Sequence, residues 1–184
     1  MKELSLNILD IAQNSIKAQA SLIEIALDET ETTLNIRIQD DGCGMDESFL
    51  NRVLDPFSTT RTTRKVGMGL PLLKLAAEQT GGSLSIRSVP KGTGAPSGTT
   101  VEALFHKDHM DFTPLGDIVS TIVGLIQGSP DIDFVFRHTM PDRTAELDTR
   151  ELRAVLGEDV PLNDFSVLAW VKDALTEQYA SAQS

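Results

Sequence analysis

Asp10, Asn14 and Lys17 are spaced so that a helix would carry a carboxylate, an amide and an ammonium along one edge. A carboxylate and an amide one turn apart can orient a water and offer oxygen, the hard ligand that magnesium prefers. A lysine one turn further on reaches a phosphate as a point charge. Taken alone, the same edge also reads as a solvated helix face. The second group is Asp40-Asp41-Gly42-Cys43-Gly44-Met45, which follows an apolar run. Its glycines let the backbone approach a flat ligand, and a buried carboxylate accepts a hydrogen bond from an exocyclic amine such as that of adenine. An acidic turn closing a strand has the same composition. Third comes Phe57-Ser58-Thr59-Thr60-Arg61-Thr62-Thr63-Arg64-Lys65, running into Val66-Gly67-Met68-Gly69-Leu70. Hydroxyls, guanidinium groups and glycine N–H donors at a helix start suit phosphate, although a surface loop is the bland alternative. Finally, Gly98-Thr99-Thr100 opens a strand. The stretch from Gly92 to Thr100 has the look of a P-loop but lacks its lysine.

These groups need elements to position them. Leu4, Ile8, Ile11, Ala12, Ile16 and Ala20 recur at helical spacing, which predicts a first helix from about Glu3 to Ala20 with Ser15 as an exception on its apolar side. Residues 22–27 and 34–39 read as an antiparallel hairpin around a polar turn. Asp46 caps a short helix carrying Phe49, Val53 and Leu54. Residues 57–69 show no apolar period and read as a loop. A helix over 70–80 follows, with Pro71 in its first turn and Gly81-Gly82 past its end. Two strands, 83–89 and 99–105, complete a two-layer α+β sandwich with helices on one face of the sheet.

Beyond a polar linker at 106–114, the pattern predicts a helix over 115–127, a strand over 132–137, a short strand at 145–147, and a helix over 149–156. A last helix spans 164–179, with Phe165, Leu168, Ala169 and Leu175 inward. The expected organisation is one domain over 1–108 and a small C-terminal α/β unit over 109–184, either separate or packed on the first. Phe134, Phe136 and Trp170 are read as core of that unit or as a docking surface.

Composition narrows the function. Among 184 residues, 16 are Lys or Arg and 27 are Asp or Glu, giving a net charge of −11. So acidic a chain argues against general binding to nucleic acid or a membrane surface, both of which are polyanions. The single cysteine, Cys43, makes neither an intrachain disulfide nor a zinc site, and no secretory leader or membrane-length apolar run is present. The expectation is a soluble, cytoplasmic protein.

Together these groups resemble the GHKL family of histidine kinases, DNA gyrase B, HSP90 and MutL mismatch-repair proteins. Asp10/Asn14, Asp40-x-Gly42-x-Gly44, Phe57 to Arg61, Gly67-x-Gly69-Leu70 and Gly98-Thr99 match its five sequence boxes in order over residues 4–105. The resemblance implies the Bergerat fold, with ATP between the helices and Mg²⁺ bridging its phosphates to Asn14. It further implies that Asp40 meets the adenine amine and that residues 58–69 cover the phosphates. The implied ATP-binding set is Asn14, Lys17, Asp40, Gly42, Gly44, Met45, Phe57, Ser58, Thr59, Thr60, Arg61, Arg64, Lys65, Gly67, Met68, Gly69, Leu70 and Thr99, with Asp10 as candidate catalytic residue.

Within the family, FSTTR and GMGLPLLKLAAEQTGGSLSI look most like histidine kinases and anti-sigma-factor kinases. QNSIKAQAS, with the small Ala18, is also similar to the mismatch-repair ATPases. Hydrolysing branches have glutamate at the position of Asp10; aspartate is one methylene shorter. The expectation is a domain without a preceding phosphoacceptor segment; His106, His109 and His138 lack a phosphoacceptor context and read as structural or surface histidines. Two functions follow: a kinase acting on, or regulating, a partner protein, and an ATP-driven switch or slow ATPase. The tail resembles that of short proteins beside iron-hydrogenase or other redox-complex subunits, which implies a redox or regulatory partner.

Overall fold

Ile23, Ile25 and Leu27 are buried while Glu24 and Ala26 between them are half-exposed and Asp28 is exposed; strict alternation commits each side of this strand to one environment. In the computed structural model, residues 3–55 and 69–181 are described. The strand is β1 (Leu22–Glu29), and β2 (Thr33–Asp40) returns antiparallel beside it. The register carries the apolar rows across the sheet. Ile25 faces Ile38, which faces Val101 in β4 (Gly98–His106), and Leu27 faces Ile36, which faces Ala103. β3 (Ser83–Val89) forms the outer edge against β4.

Helices cover the apolar face. α1 (Leu4–Lys17) buries Leu4, Ile8, Ile11, Ala12 and Ser15, and packs against α3 (Gly69–Gln79). α2 (Glu47–Val53) starts where the Asp46 carboxylate accepts the Phe49 N–H at 2.8 Å. After β4 the chain runs through α4 (Ile118–Gly128), β5 (Asp133–Thr139), β6 (Thr144–Asp148), α5 (Thr149–Leu156) and α6 (Phe165–Ala180).

β5 lies parallel to β1, and β6 pairs antiparallel with β5, so one mixed six-stranded sheet runs β3-β4-β2-β1-β5-β6. Residues beyond 109 therefore extend the same sheet, and Phe134 and Phe136 join its core. They also anchor α1, because the Leu4 and Ser5 N–H groups, which no helical turn can satisfy, donate to the carbonyls of Pro114 and Leu115 at 2.8 Å.

The inward face expected for the last helix needs correction. α6 buries Val167, Val171 and Leu175, whereas Phe165 is 85% exposed, Ala169 is exposed and Leu168 is only half-buried. Trp170, read as core of the C-terminal unit or as a docking surface, is 55% exposed and so is not core. Apolar residues lie all round this helix, so spacing alone could not select the seam. No helix among the described residues is long and apolar enough to cross a membrane.

Candidate functional site

Asp40 ends β2 on the helix-covered side of the sheet, directly beneath α1. Its Oδ2 accepts the Ser15 hydroxyl at 2.6 Å, and its Oδ1 accepts the Gly42 N–H at 2.9 Å and the Thr99 N–H at 3.3 Å. A carboxylate offers about four acceptor positions, so one remains open. Among the described residues these three donors are all neutral. Asp41, its neighbour, turns away and closes the loop by accepting the Ser21 hydroxyl and the N–H groups of Ser21 and Leu22. Partial burial raises the Asp41 carboxyl, but those donors outweigh it and hold it below the ordinary carboxylate range.

The turn after Asp40 is pressed against the end of α1. A side chain at Gly42 would bring its Cβ to 2.8 Å from the Ala18 carbonyl oxygen and 2.9 Å from the Ala18 Cβ. Gly44 has φ of 70°, and a Cβ there would lie 2.0 Å from the Val89 carbonyl oxygen. Glycine is thus required at both positions. The Ala18 carbonyl accepts the Cys43 N–H at 2.9 Å, just before Gln19 takes a left-handed φ of 63°. From the other side, the Ser88 hydroxyl accepts the Met45 N–H and bonds the Thr99 hydroxyl, both at 2.7 Å.

Above this frame opens a cavity of about 210 Å³. Ile38 and Val101 form its sheet wall, Ile11, Asn14, Ser15 and Lys17 its α1 wall, and Met45, Phe49, Val53 and Leu70 close it with apolar surface. Asp40 and Thr99 supply polarity at one end, and Asn14 and Lys17 along α1. A flat, largely apolar ligand with an amine donor fits this lining.

Of the residues singled out from the sequence, Asn14, Lys17, Asp40, Gly44, Met45, Leu70 and Thr99 line the cavity. Gly42 is buried in its frame. Gly69 opens α3 where an added Cβ would come within 3.0 Å of the Asp10 Cβ, so α3 begins tight against α1. Asp10 is exposed and is not among the described lining residues. Phe57, Ser58, Thr59, Thr60, Arg61, Arg64, Lys65, Gly67 and Met68 lie outside the described residues.

Ser15 and Ser88, which hydrogen-bond the frame of the cavity, were not among the residues singled out from the sequence. The signal for Ser15 was present: a hydroxyl on the apolar side of a helix needs a partner. Among the described residues no group of three or more His, Cys, Asp or Glu could hold a metal. A magnesium ion held by phosphate oxygens and water needs few protein ligands, and the Asn14 amide oxygen is of the right kind.

Comparison with known proteins agrees with this geometry. The sequence is 33% identical over 91 residues to the sensor histidine kinase CitA of Klebsiella pneumoniae, covering 47% of this chain and 17% of that protein. It is 33% identical over 95 residues to the signal transduction histidine-protein kinase AtoS of Escherichia coli K12, covering 52% and 15%. The match thus spans less than a fifth of either relative. Two solved structures share the fold. The N-terminal domain of a DNA repair protein superposes with a TM-score of 0.60 at 18% identity, covering 85% of this chain and 57% of that one. The Aquifex aeolicus MutL ATPase domain, complexed with ADP, superposes at 0.53 and 13% identity, covering 94% and 88%. The family model for histidine kinase-, DNA gyrase B-, and HSP90-like ATPases matches residues 2–109, more than half of the chain, and the protein belongs to that family.

Proposed function

We propose that the protein binds Mg-ATP in the Asp40 cavity and either transfers the γ-phosphoryl group to a partner protein or regulates that partner through its nucleotide state. The observation that carries the nucleotide reading is Asp40, tied by three neutral donors and left with one acceptor position. The exocyclic amine of adenine satisfies that position; the carbonyl oxygen of guanine at the equivalent place would meet an uncompensated negative charge. The apolar walls at Ile38, Met45, Val53 and Leu70 take the flat base out of water. Lys17 offers its ammonium to the phosphate end. Magnesium, held on the protein side by Asn14, would spread the negative charge of the phosphates.

Kinase-like action is favoured by the sensor kinases among the relatives. The alternative is a slow ATPase or ATP-driven switch with Asp10 as base. One observation supports it: Asp10 abuts Gly69 at the start of α3, where helix N–H groups suit phosphate. Incubation with γ-labelled ATP and co-purifying proteins separates the two. Label on a partner is expected; steady phosphate release with no labelled protein, slowed in Asp10→Asn, would support hydrolysis instead.

A further inference from the structure

The most deeply buried titratable group outside the nucleotide site is His138 on β5, 2% exposed. Its Nε2 lies 2.8 Å from Glu29 Oε1, at the end of β1, and its Nδ1 lies 2.8 Å from the Tyr179 hydroxyl in the last turn of α6. Glu29 is shared: its Oε2 accepts the Lys107 ammonium at 2.8 Å, and that ammonium also donates to the Thr30 carbonyl. Arg143, in the turn between β5 and β6, donates to the Tyr179 carbonyl and pairs with Asp142. Five segments thus meet at one end of the sheet. The last turn of α6 is held there by Tyr179, through its hydroxyl and its carbonyl, and by Gln178, whose side-chain amide accepts the Glu146 N–H at 2.7 Å and donates to the Glu146 carbonyl at 3.1 Å.

The proton count of this cluster is constrained. A carboxylate only accepts, so His138 Nε2 carries a proton toward Glu29; with the ring neutral, Nδ1 accepts the Tyr179 O–H. Glu29 and Lys107 then balance, and no buried charge is left over. Adding a proton at Nδ1 places two donors face to face. The Tyr179 hydroxyl must turn to accept, losing its own acceptor, while a second cation appears beside Lys107, with Asp28 as a further acid nearby.

We propose that His138 is a proton-operated latch that tightens the docking of the last turn of α6 on the sheet when neutral and loosens it when protonated, with the Gln178–Glu146 pair holding in both states. Geometry and electrostatics agree on the direction. Burial, acting against the charged ring, pulls the His138 imidazole below its ordinary 6.5, although Glu29 opposes this. Burial raises the Glu29 carboxyl, but hydrogen bonds and charge from Lys107 and His138 outweigh it, so Glu29 stays ionised while His138 titrates. With the folded histidine below its unfolded value, the latch is fully closed above 6.5 and is lost as pH falls through the folded value.

Hydrogen exchange of the full chain, corrected for intrinsic rates, tests the latch between about pH 7.5 and about pH 5. Amides of residues 175–180 should exchange about fivefold faster at the acid end, while those of residues 23–27 change by less than about twofold. Tyr179→Phe keeps the ring and removes only the hydroxyl; it should exchange fast at both pH values. Imidazole ¹⁵N shifts should show His138 protonated at Nε2 and bare at Nδ1 at neutral pH. Equal α6 protection at both pH values, a wild-type pH response in Tyr179→Phe, or the opposite tautomer would each overturn the proposal.

Discussion

Asp40 closes β2 and Glu29 closes β1, and the antiparallel register sets them at opposite ends of one hairpin, with Asp40 opposite Ile23 and Glu29 opposite Leu34. Six residues of strand separate the two rows, roughly 20 Å at ~3.3 Å per residue. Both carboxylates lie on the helix-covered side, and both are held by side chains from elements distant in sequence. Their partners differ in kind. Among the described residues Asp40 meets a hydroxyl and two backbone N–H groups, and it has an acceptor position facing a cavity. Glu29 meets an ammonium and an imidazole, so its charge is matched within the protein. A carboxylate held only by neutral donors is prepared for a ligand; one matched by a cation is a tie between segments.

Substitutions at the two ends should therefore separate binding from stability. Asn14→Ala at the cavity end is expected to lower Mg-dependent ATP affinity by more than about 100-fold, close to 2.7 kcal/mol, with the urea midpoint nearly unchanged. Calorimetric titration with and without magnesium measures this; equal affinity in both would remove Asn14 as the metal ligand.

At the other end, Glu29→Gln keeps the shape but leaves Lys107 unmatched. About a quarter of each side chain is exposed, which puts the expected loss near 2 kcal/mol, below that of a fully buried pair. ATP affinity should stay within about twofold. The Glu29 carboxyl lies below its ordinary 4.5 in the fold, so its contribution is complete above 4.5 and is lost as pH falls through the folded value. Denaturant unfolding at several pH values should show a smaller acid-side loss in Glu29→Gln than in the wild type, the remainder coming from carboxyls such as Asp41 that also lie below their ordinary range.

The smallest effect is expected for Ser15→Ala. It removes one of the three donors on Asp40 and so loosens the carboxylate, while taking one small polar group from the cavity wall. A rise of about fivefold in Kd, roughly 1 kcal/mol, should appear in the same titration. A stability loss with unchanged Kd would make the Ser15 bond structural only.

Much of this arrangement was legible in the residues, for stateable reasons. Asn14 and Lys17 lie on the polar edge of an amphipathic helix, so spacing alone put them together. The hairpin showed itself because alternation is interrupted by a polar turn, and Asp40-x-Gly42-x-Gly44 because glycines mark close backbone approach. Ser15 was legible only in part: a hydroxyl on the apolar side of α1 calls for a partner, but that partner, Asp40, is placed there only by β2. The pairing of β5 with β1 was hidden too, since period reveals a strand but not its neighbour. Phe165 misled because α6 carries apolar residues on every side, and the buried seam is set by where Tyr179 and Val171 dock. His138 gave no signal, since its meaning depends on Glu29, 109 residues away in sequence.

The measurement closest to the central claim is titration of ATP and GTP into the wild type and Asp40→Asn. The substitution keeps the size of the side chain but replaces an acceptor with a donor and removes the charge. Wild-type protein should prefer ATP over GTP by at least about 100-fold, and Asp40→Asn should bind ATP about 30-fold more weakly with that preference largely lost. Equal affinity for ATP in the two proteins, or no preference for ATP in the wild type, would contradict the assignment of Asp40 as the residue that reads the base.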